Sequence, residues 1–311
     1  MNIGIIGLGY WGKHYVRIIS KSDRCHLTAL CDVFEDTLNK YNYINVDKYI
    51  NYKDMFDSGT IDAVVIVTIA SLHEQIIKDA LESNLKIFVE KPYTLKYKDC
   101  QNIDKLLKKE NKLMVGHTYL FNPKINYIKK YIQHSMTTAQ TIHFEWTCYG
   151  PIRKDTTPIF DLAVHPLSIL FWLFPEGEIR DIHSIKSSSN HTYFIQFKKG
   201  DVLVQMNISW ASPGKTRKMI INNNEIKVIF DDVSNKEPIK ILHVNNPQPT
   251  EANIGQFSVH ADGNIMIPQV ENKEPLTEQF NHWLDYCEDK CECYSGHAFS
   301  SEIIQLCEKL E

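Results

Sequence analysis

The chain opens with "MNIGIIGLGYWGKHYVRIIS" (residues 1–20): a short apolar run, then glycines at 7, 9 and 12, then an amphipathic run. The G-x-G-x-x-G spacing alone is weak, because glycines are common. Its place between a strand-like and a helix-like segment gives it meaning. There Gly7 permits a tight turn, Gly9 lets a pyrophosphate approach the backbone, and Gly12 allows close helix–strand packing. The amides at the helix start then face the phosphates. The next apolar run, "HLTALCD", ends on Asp32, 25 positions after Gly7. An acid at that distance binds ribose hydroxyls and repels a 2′-phosphate, so the spacing predicts NAD rather than NADP.

Outward from this turn, "AVVIVTI", "LKIFVEKP" and "KLMVGHT" read as further strands, with helical stretches such as "SLHEQIIKDALESN" between them. Such alternation predicts βαβ units and a doubly wound parallel sheet. After about residue 120 the texture changes. "DVLVQMNISW" alternates, with Val202, Val204, Met206, Ile208 and Trp210 on one face and Leu203, Gln205, Asn207 and Ser209 on the other. "TAQTIHFEWTC", "HTYFIQF", "RKMIIN", "EIKVIFD" and "PIKILHV" read as companion strands, with turns expected at Lys199-Gly200, Pro213-Gly214 and 222–224. The late run "LTEQFNHWLDYCED" reads as a helix, with Thr277 as its expected N-cap. The expected fold class is therefore α/β: a Rossmann domain over residues 1–120, then an α+β domain over 121–311 built on an open, mostly antiparallel sheet.

Composition narrows the function. Of 311 residues, 43% are hydrophobic and 23% charged, and the net charge of −4 gives no basic footprint for nucleic acid. No apolar run reaches the roughly 18 residues of a membrane span, and the N-terminus lacks a signal-peptide pattern. A cytoplasmic protein with reduced thiols is expected. The cluster Cys287, Cys291, Cys293 with His297 matches no standard zinc spacing, so no metal is expected.

Two polar positions stand out in "IFDLAVHPLSILFWLF" (residues 159–174). Asp161 and His165 are four apart and would share one face of a greasy helix. Burying them unpaired is costly. They are a structural pair or they face something polar, and in an NAD-binding chain a substrate hydroxyl fits. Histidine suits proton abstraction near neutrality. Lys91, at the carboxyl end of "FVEKP", lies where open α/β sheets bind ligands. Arg153 and Lys154 offer donors for a diphosphate or carboxylate, or are a solvated basic pair.

With these residues on the page, the chain resembles the Gfo/Idh/MocA oxidoreductases over nearly its whole length: "GIIGLGYWGKH", "EKP" at 90–92, "MVGHTYLFNP" at 114–123, "DLAVH" at 161–165, "SWASPGKTRKMII" and "PLTEQFNHWLDYC". The resemblance implies Lys91 and His165 as catalytic residues, with Asp161 one helical turn before the histidine. It implies cofactor contacts from Gly7, Gly9, Tyr10, Trp11, Gly12, Asp32, Thr68, His73, Glu90 and Lys91. Substrate contacts would come from Lys91, Tyr119, Asn122, Arg153, Asp161 and His165. It also implies a homodimer or homotetramer. The branch it is most similar to acts on nucleotide sugars in polysaccharide or lipopolysaccharide synthesis. That branch implies oxidation of the C3 hydroxyl of UDP-N-acetylglucosamine or its uronate, coupled to an aminotransferase. A free sugar, a cyclitol, reduction of a 3-keto dTDP-sugar, and a non-catalytic NAD-binding regulator are the alternatives. The chain departs from its relatives at Pro166 and Ser168, where acids are common.

Overall fold

The computed structural model describes residues 1–136, 138–244 and 263–311. The described chain falls into two units, 1–121 with 274–308, and 122–273 with 309–311.

In the first unit, β1 (Asn2–Ile6), β2 (His26–Cys31), β3 (Asp47–Tyr49), β4 (Ala63–Ile66), β5 (Lys86–Glu90) and β6 (Leu113–Gly116) form one sheet in the order β3-β2-β1-β4-β5-β6. Every neighbouring pair is parallel. The helices α1 (Gly12–Ser20), α2 (Glu35–Asn39), α3 (Tyr52–Asp57), α4 (His73–Glu82) and α5 (Tyr97–Asp104) make the crossovers. Residues 63–66 are 0% exposed, which explains why "AVVI" is a continuous apolar run: both faces of a parallel strand are covered. In α4, Ile76, Ile77, Ala80 and Leu81 are buried, as their spacing predicts. The strand order reverses between β1 and β4, so the crevice that receives a ligand opens beside the glycine turn. The three-residue β3 is too short to show in a periodicity reading.

The second unit holds an eight-stranded sheet: β7 (Thr141–Tyr149), β8 (Ile179–Lys186), β9 (Thr192–Lys199), β10 (Val202–Ser209), β11 (Ala211–Asn222), β12 (Ile226–Asp231), β13 (Ile239–His243) and β14 (Ile265–Met266). Its order is β14-β13-β12-β11-β7-β10-β9-β8. Among the described residues, only the β7–β10 pair of this sheet is parallel. The inner face carries Phe144, Trp146, Ile195, Val204, Met206, Met219 and Phe230, all at 0% exposure. The outer face leaves Ile185, Phe194 and Leu203 exposed. Among the described residues of this unit are also two α-helices, α6 (Pro123–Ser135) and α7 (Val164–Leu173). The turn expected at Pro213-Gly214 instead lies inside β11. The strand runs through it with a break in register between Ala211 and Thr216, and Gly214 takes a φ of +82°. A bulge accommodates what reads locally as a turn.

The chain then returns to the first unit through α8 (Pro275–Cys287) and α9 (His297–Leu310). The division therefore differs from a single cut near residue 120. The physical reason is the apolar stripe of α8. Phe280, Trp283 and Leu284 are 0% exposed, and Trp283 meets Phe88 of β5 edge-on, with 5.7 Å between centroids. The helix begins two residues before the expected cap. Pro275 occupies its first turn, and Thr277 donates its hydroxyl to the Glu274 carboxylate at 2.6 Å. All eight cysteines are free thiols, and no helix among the described residues is long and apolar enough to cross a membrane.

Because Trp283 fills the space beneath β5, Trp283→Ala should lower unfolding stability by about 3–5 kcal/mol. Urea denaturation followed by circular dichroism will measure this.

Candidate functional site

In the first unit the glycine turn is built on close approaches. A Cβ on Gly7 would lie 2.5 Å from the Val67 carbonyl oxygen, and one on Gly12 would lie 2.1 Å from the Gly7 carbonyl oxygen. Gly7 also holds a φ of +92°, a region favouring glycine. Around Gly9 there is nothing within 4 Å of an added Cβ. The turn is thus tight where it packs and open where a pyrophosphate would approach. Trp11, the N-cap of α1, supplies no side-chain cap; the Lys13 and His14 N–H groups bond instead to the Gly9 and Trp11 carbonyls at 3.4 and 2.9 Å, so the positive end of the helix is not covered by a side chain. These features fit an NAD pyrophosphate.

Asp32 sits at the end of β2. One carboxylate oxygen accepts the Leu8 N–H at 2.8 Å and the other accepts the Phe34 N–H at 3.0 Å. It therefore braces the glycine turn, and its further lone pairs suit ribose hydroxyls. Tyr10 and Trp11 are exposed, with their rings edge to face at 5.5 Å. Thr68 is half-buried after β4. His73 is 0% exposed, and its ring nitrogens meet the Pro92 and Thr68 carbonyls at 2.9 and 3.3 Å. It lies beneath the strand ends and ties the two loops together, rather than forming part of the exposed surface.

At the end of β5, Lys91 is half-buried and Glu90 buried. Glu90 accepts the Tyr15 hydroxyl and, at 3.1 Å, the Lys91 N–H. Burial raises the Glu90 carboxyl above its ordinary range, opposed by the Tyr15 hydrogen bond and the Lys91 charge. His117, one residue past β6, is 1% exposed. Neither of its ring nitrogens has a hydrogen-bond partner among the described residues. Burial, with the Lys91 charge, pulls its imidazole down to about 3. Sequence reading missed His117, although it stands in "VGHT" at a strand end, the position where ligand-facing residues collect. Tyr119 lies half-buried in the 3₁₀ turn Thr118–Phe121.

In the second unit, residues 158–171 are buried except at two positions, Asp161 and His165. The expected single α-helix is instead a π-helical turn, Ile159–Ala163, followed by α7. The wider turn carries Asp161, and such turns favour functional positions. It packs on β7 and β10. Trp210 donates its indole N–H to Asp161 at 3.0 Å, and Arg153 Nη1 stands 3.7 Å from the same carboxylate. Arg153 also makes a two-pronged pair with Asp155, at 2.7 and 3.2 Å. Those bonds hold the Asp155 carboxyl below its ordinary range. Asn122 is a structural cap: its oxygen accepts the Lys124 N–H at 2.9 Å, and its amide reaches Asp232 at 3.4 Å. Ser168 is 0% exposed and donates to the His165 carbonyl at 2.8 Å. The Ser168 hydroxyl is thus spent on the helix backbone. Trp210 was invisible to spacing, because it reaches Asp161 through the fold.

Residues 1–117 match the family model described as the oxidoreductase family, NAD-binding Rossmann fold, GFO_IDH_MocA. This part of the chain is similar to an NAD-binding Rossmann fold, and the glycine turn and Asp32 described above fit NAD. An inositol 2-dehydrogenase of Salmonella paratyphi B is 25% identical over 186 residues, covering 57% of this chain and 55% of that protein. The chain thus spans little more than half the length of this curated relative. Among solved structures, the UDP-N-acetylglucosamine 3-dehydrogenase of Acidithiobacillus ferrooxidans superposes with a TM-score of 0.83 at 16% identity, over 100% of this chain and 96% of that one. An oxidoreductase of Agrobacterium radiobacter, solved with NAD+, L-tartaric acid and magnesium, gives 0.81 at 13% identity over 99% and 94%. These likenesses show the fold.

Two outcomes are expected. Asp32→Ala should weaken NAD binding roughly tenfold, read by calorimetry, since it removes the turn brace and a carboxylate whose further lone pairs suit ribose hydroxyls, and a lost hydrogen bond to a charged group is worth about 1.5–3 kcal/mol. His117 gives a pH dependence. The unfolded chain takes up its proton below about 6.5, and the folded chain resists until about 3. The unfolded state thus holds more protons in that window, and stability falls on acidification by up to about 1.4 kcal/mol per pH unit. His117→Leu should flatten this part of the urea midpoint-against-pH curve.

Proposed function

We propose that this protein is an NAD-dependent dehydrogenase that oxidises a sugar carbinol, the C3 hydroxyl of a nucleotide-linked hexose such as UDP-N-acetylglucosamine or its uronate. The observation that carries this reading is the pair Asp161 and His165. These are the two positions left open in an otherwise buried run, in a chain whose first 117 residues are an NAD-binding oxidoreductase fold. NAD, when bound, supplies the hydride acceptor. His165 takes the hydroxyl proton, a task for which an imidazole is suited near neutral pH. Lys91 contributes a positive charge that stabilises the developing alkoxide. Asp161, held by Trp210, fixes the polar edge of the π turn. Arg153 keeps N–H groups for an anionic part of the substrate.

The likeness to a UDP-N-acetylglucosamine 3-dehydrogenase over the full chain supports the nucleotide sugar. The sequence matches to inositol dehydrogenases favour a second reading, a free cyclitol as substrate with the same residues in the same roles. The exposed Ile185, Phe194 and Leu203 on the open sheet are the proposed surface for self-association into a dimer or tetramer. A 3-keto product would pass to an aminotransferase.

The test is a panel of UDP-hexoses, dTDP-hexoses and inositols with NAD, with an aminotransferase added to remove ketone, followed at the NADH absorbance. Turnover with one nucleotide sugar, reduced roughly 10²- to 10⁴-fold in Lys91→Ala and in His165→Ala, is expected. Turnover with inositols alone would select the cyclitol. NAD binding without turnover on any member would leave a regulator built on this fold.

A further inference from the structure

Two successive residues of the turn after Lys91 are each held by a histidine from a different helix. The Pro92 carbonyl meets His73 Nδ1 of α4 at 2.9 Å. The Tyr93 hydroxyl stands 2.9 Å from Nδ1 of His297, the first residue of α9. The Tyr93 and His297 rings also meet edge to face, with 5.6 Å between centroids. On its far side His297 Nε2 lies 3.4 Å from Ser301 Oγ, one turn along α9, and 3.3 Å from Asp104 Oδ1 at the end of α5. Tyr93 is 0% exposed, so its hydroxyl depends on a partner from the protein, and leaving it without one is costly. All of these groups belong to the first unit.

The chemistry of the groups sets the direction of the bond. A carboxylate beside Nε2 favours a proton on that nitrogen, and the Ser301 oxygen can accept it. Nδ1 then keeps its lone pair, and the Tyr93 hydroxyl donates to it. Burial lowers the His297 imidazole below its ordinary range, opposed by the charge of Asp104, which suits this neutral form. Lys91 is tied on its other flank as well. Its N–H donates to Glu90 Oε2 at 3.1 Å, and Glu90 accepts the Tyr15 hydroxyl, whose oxygen takes Gln279 Nε2 at 3.2 Å. The backbone that carries the Lys91 side chain is therefore held both before it and after it.

We propose that His297 is a positioning residue for Lys91: by accepting the buried Tyr93 hydroxyl it fixes the turn from which the Lys91 side chain projects. This rests on the role given to Lys91 under Proposed function and adds an anchor supplied from the last helix of the chain.

The test uses the full chain. Hydrogen exchange, resolved by residue with mass spectrometry, follows the Lys91 N–H, with the Phe88 and Val89 N–H groups of β5 as references. Tyr93→Phe keeps the ring and removes the hydroxyl; His297→Leu removes the acceptor. Each should speed exchange at Lys91 roughly three- to tenfold, the range that one lost hydrogen bond allows, and leave the references unchanged. Tyr93→Phe serves alone if His297→Leu fails to fold. His297→Asn, whose side-chain oxygen can take the place of Nδ1, should restore the slow rate. With the sugar that turns over on the panel, His297→Leu should lower kcat roughly tenfold, with NAD affinity held within about twofold and recovery in His297→Asn. Unchanged exchange at Lys91 in folded, NAD-binding variants would overturn the proposal. So would a rise shared by Phe88 and Val89 without recovery in His297→Asn, which reports a loosened sheet, and so would an unchanged kcat. A local rise, restored by His297→Asn, in a protein silent on the sugar panel would sink the dehydrogenase reading and leave the anchored turn intact.

Discussion

The approach of Gly7 to the backbone of Val67, with 2.5 Å between an added Cβ and the carbonyl oxygen, sets the geometry of the whole first unit. It brings the exit of β1 against the exit of β4 at the point where strand order reverses. From there α1 starts without a side-chain cap, Asp32 can brace Leu8, and the carboxyl ends of β4, β5 and β6 line up on one side. A side chain at Gly7 would push these exits apart, and the anion-binding turn would be lost with them. Packing and ligand chemistry are one constraint here: the contact that excludes a Cβ also sets the shape of the turn.

The second unit solves a different problem. A helix buried on almost every side has to carry two polar groups to an open edge. It does so by widening one turn. The π turn at Ile159–Ala163 displays Asp161, and Trp210, at the end of an alternating strand, meets it with an indole N–H. The cost of placing a carboxylate beside so much apolar surface is offset by that bond and by Arg153.

Much of this was legible in the sequence. Five of the six parallel strands, the glycine turn and Asp32 followed from runs of apolar residues and fixed spacings, which are local signals. The alternation of β10 likewise gave its buried and exposed faces. What could not be read has two physical causes. Short or bent elements, such as β3, the π turn and the bulge at Gly214, have no period of their own. Partnerships across long sequence separations, such as Trp210 with Asp161 or Gln279 with Tyr15, leave no spacing to find. Arg153 shows the limit within a correct neighbourhood. Its charge was apparent, but its pairing with Asp155 two residues away was not expected. His73 was expected at the cofactor surface and lies beneath it, because two backbone carbonyls claim its ring.

The first unit is closed by a segment that follows the second one in the chain. Gln279 bonds to a residue 264 positions earlier. During synthesis the parallel sheet therefore emerges without the helices that cover Phe88 and β6, and an entire intervening unit is made before they arrive. At ribosomal speeds this interval is roughly 8 to 30 s. For that time the apolar surface that Trp283 covers has no partner from its own chain. Completion of the first unit is thus a late event in the life of the polypeptide.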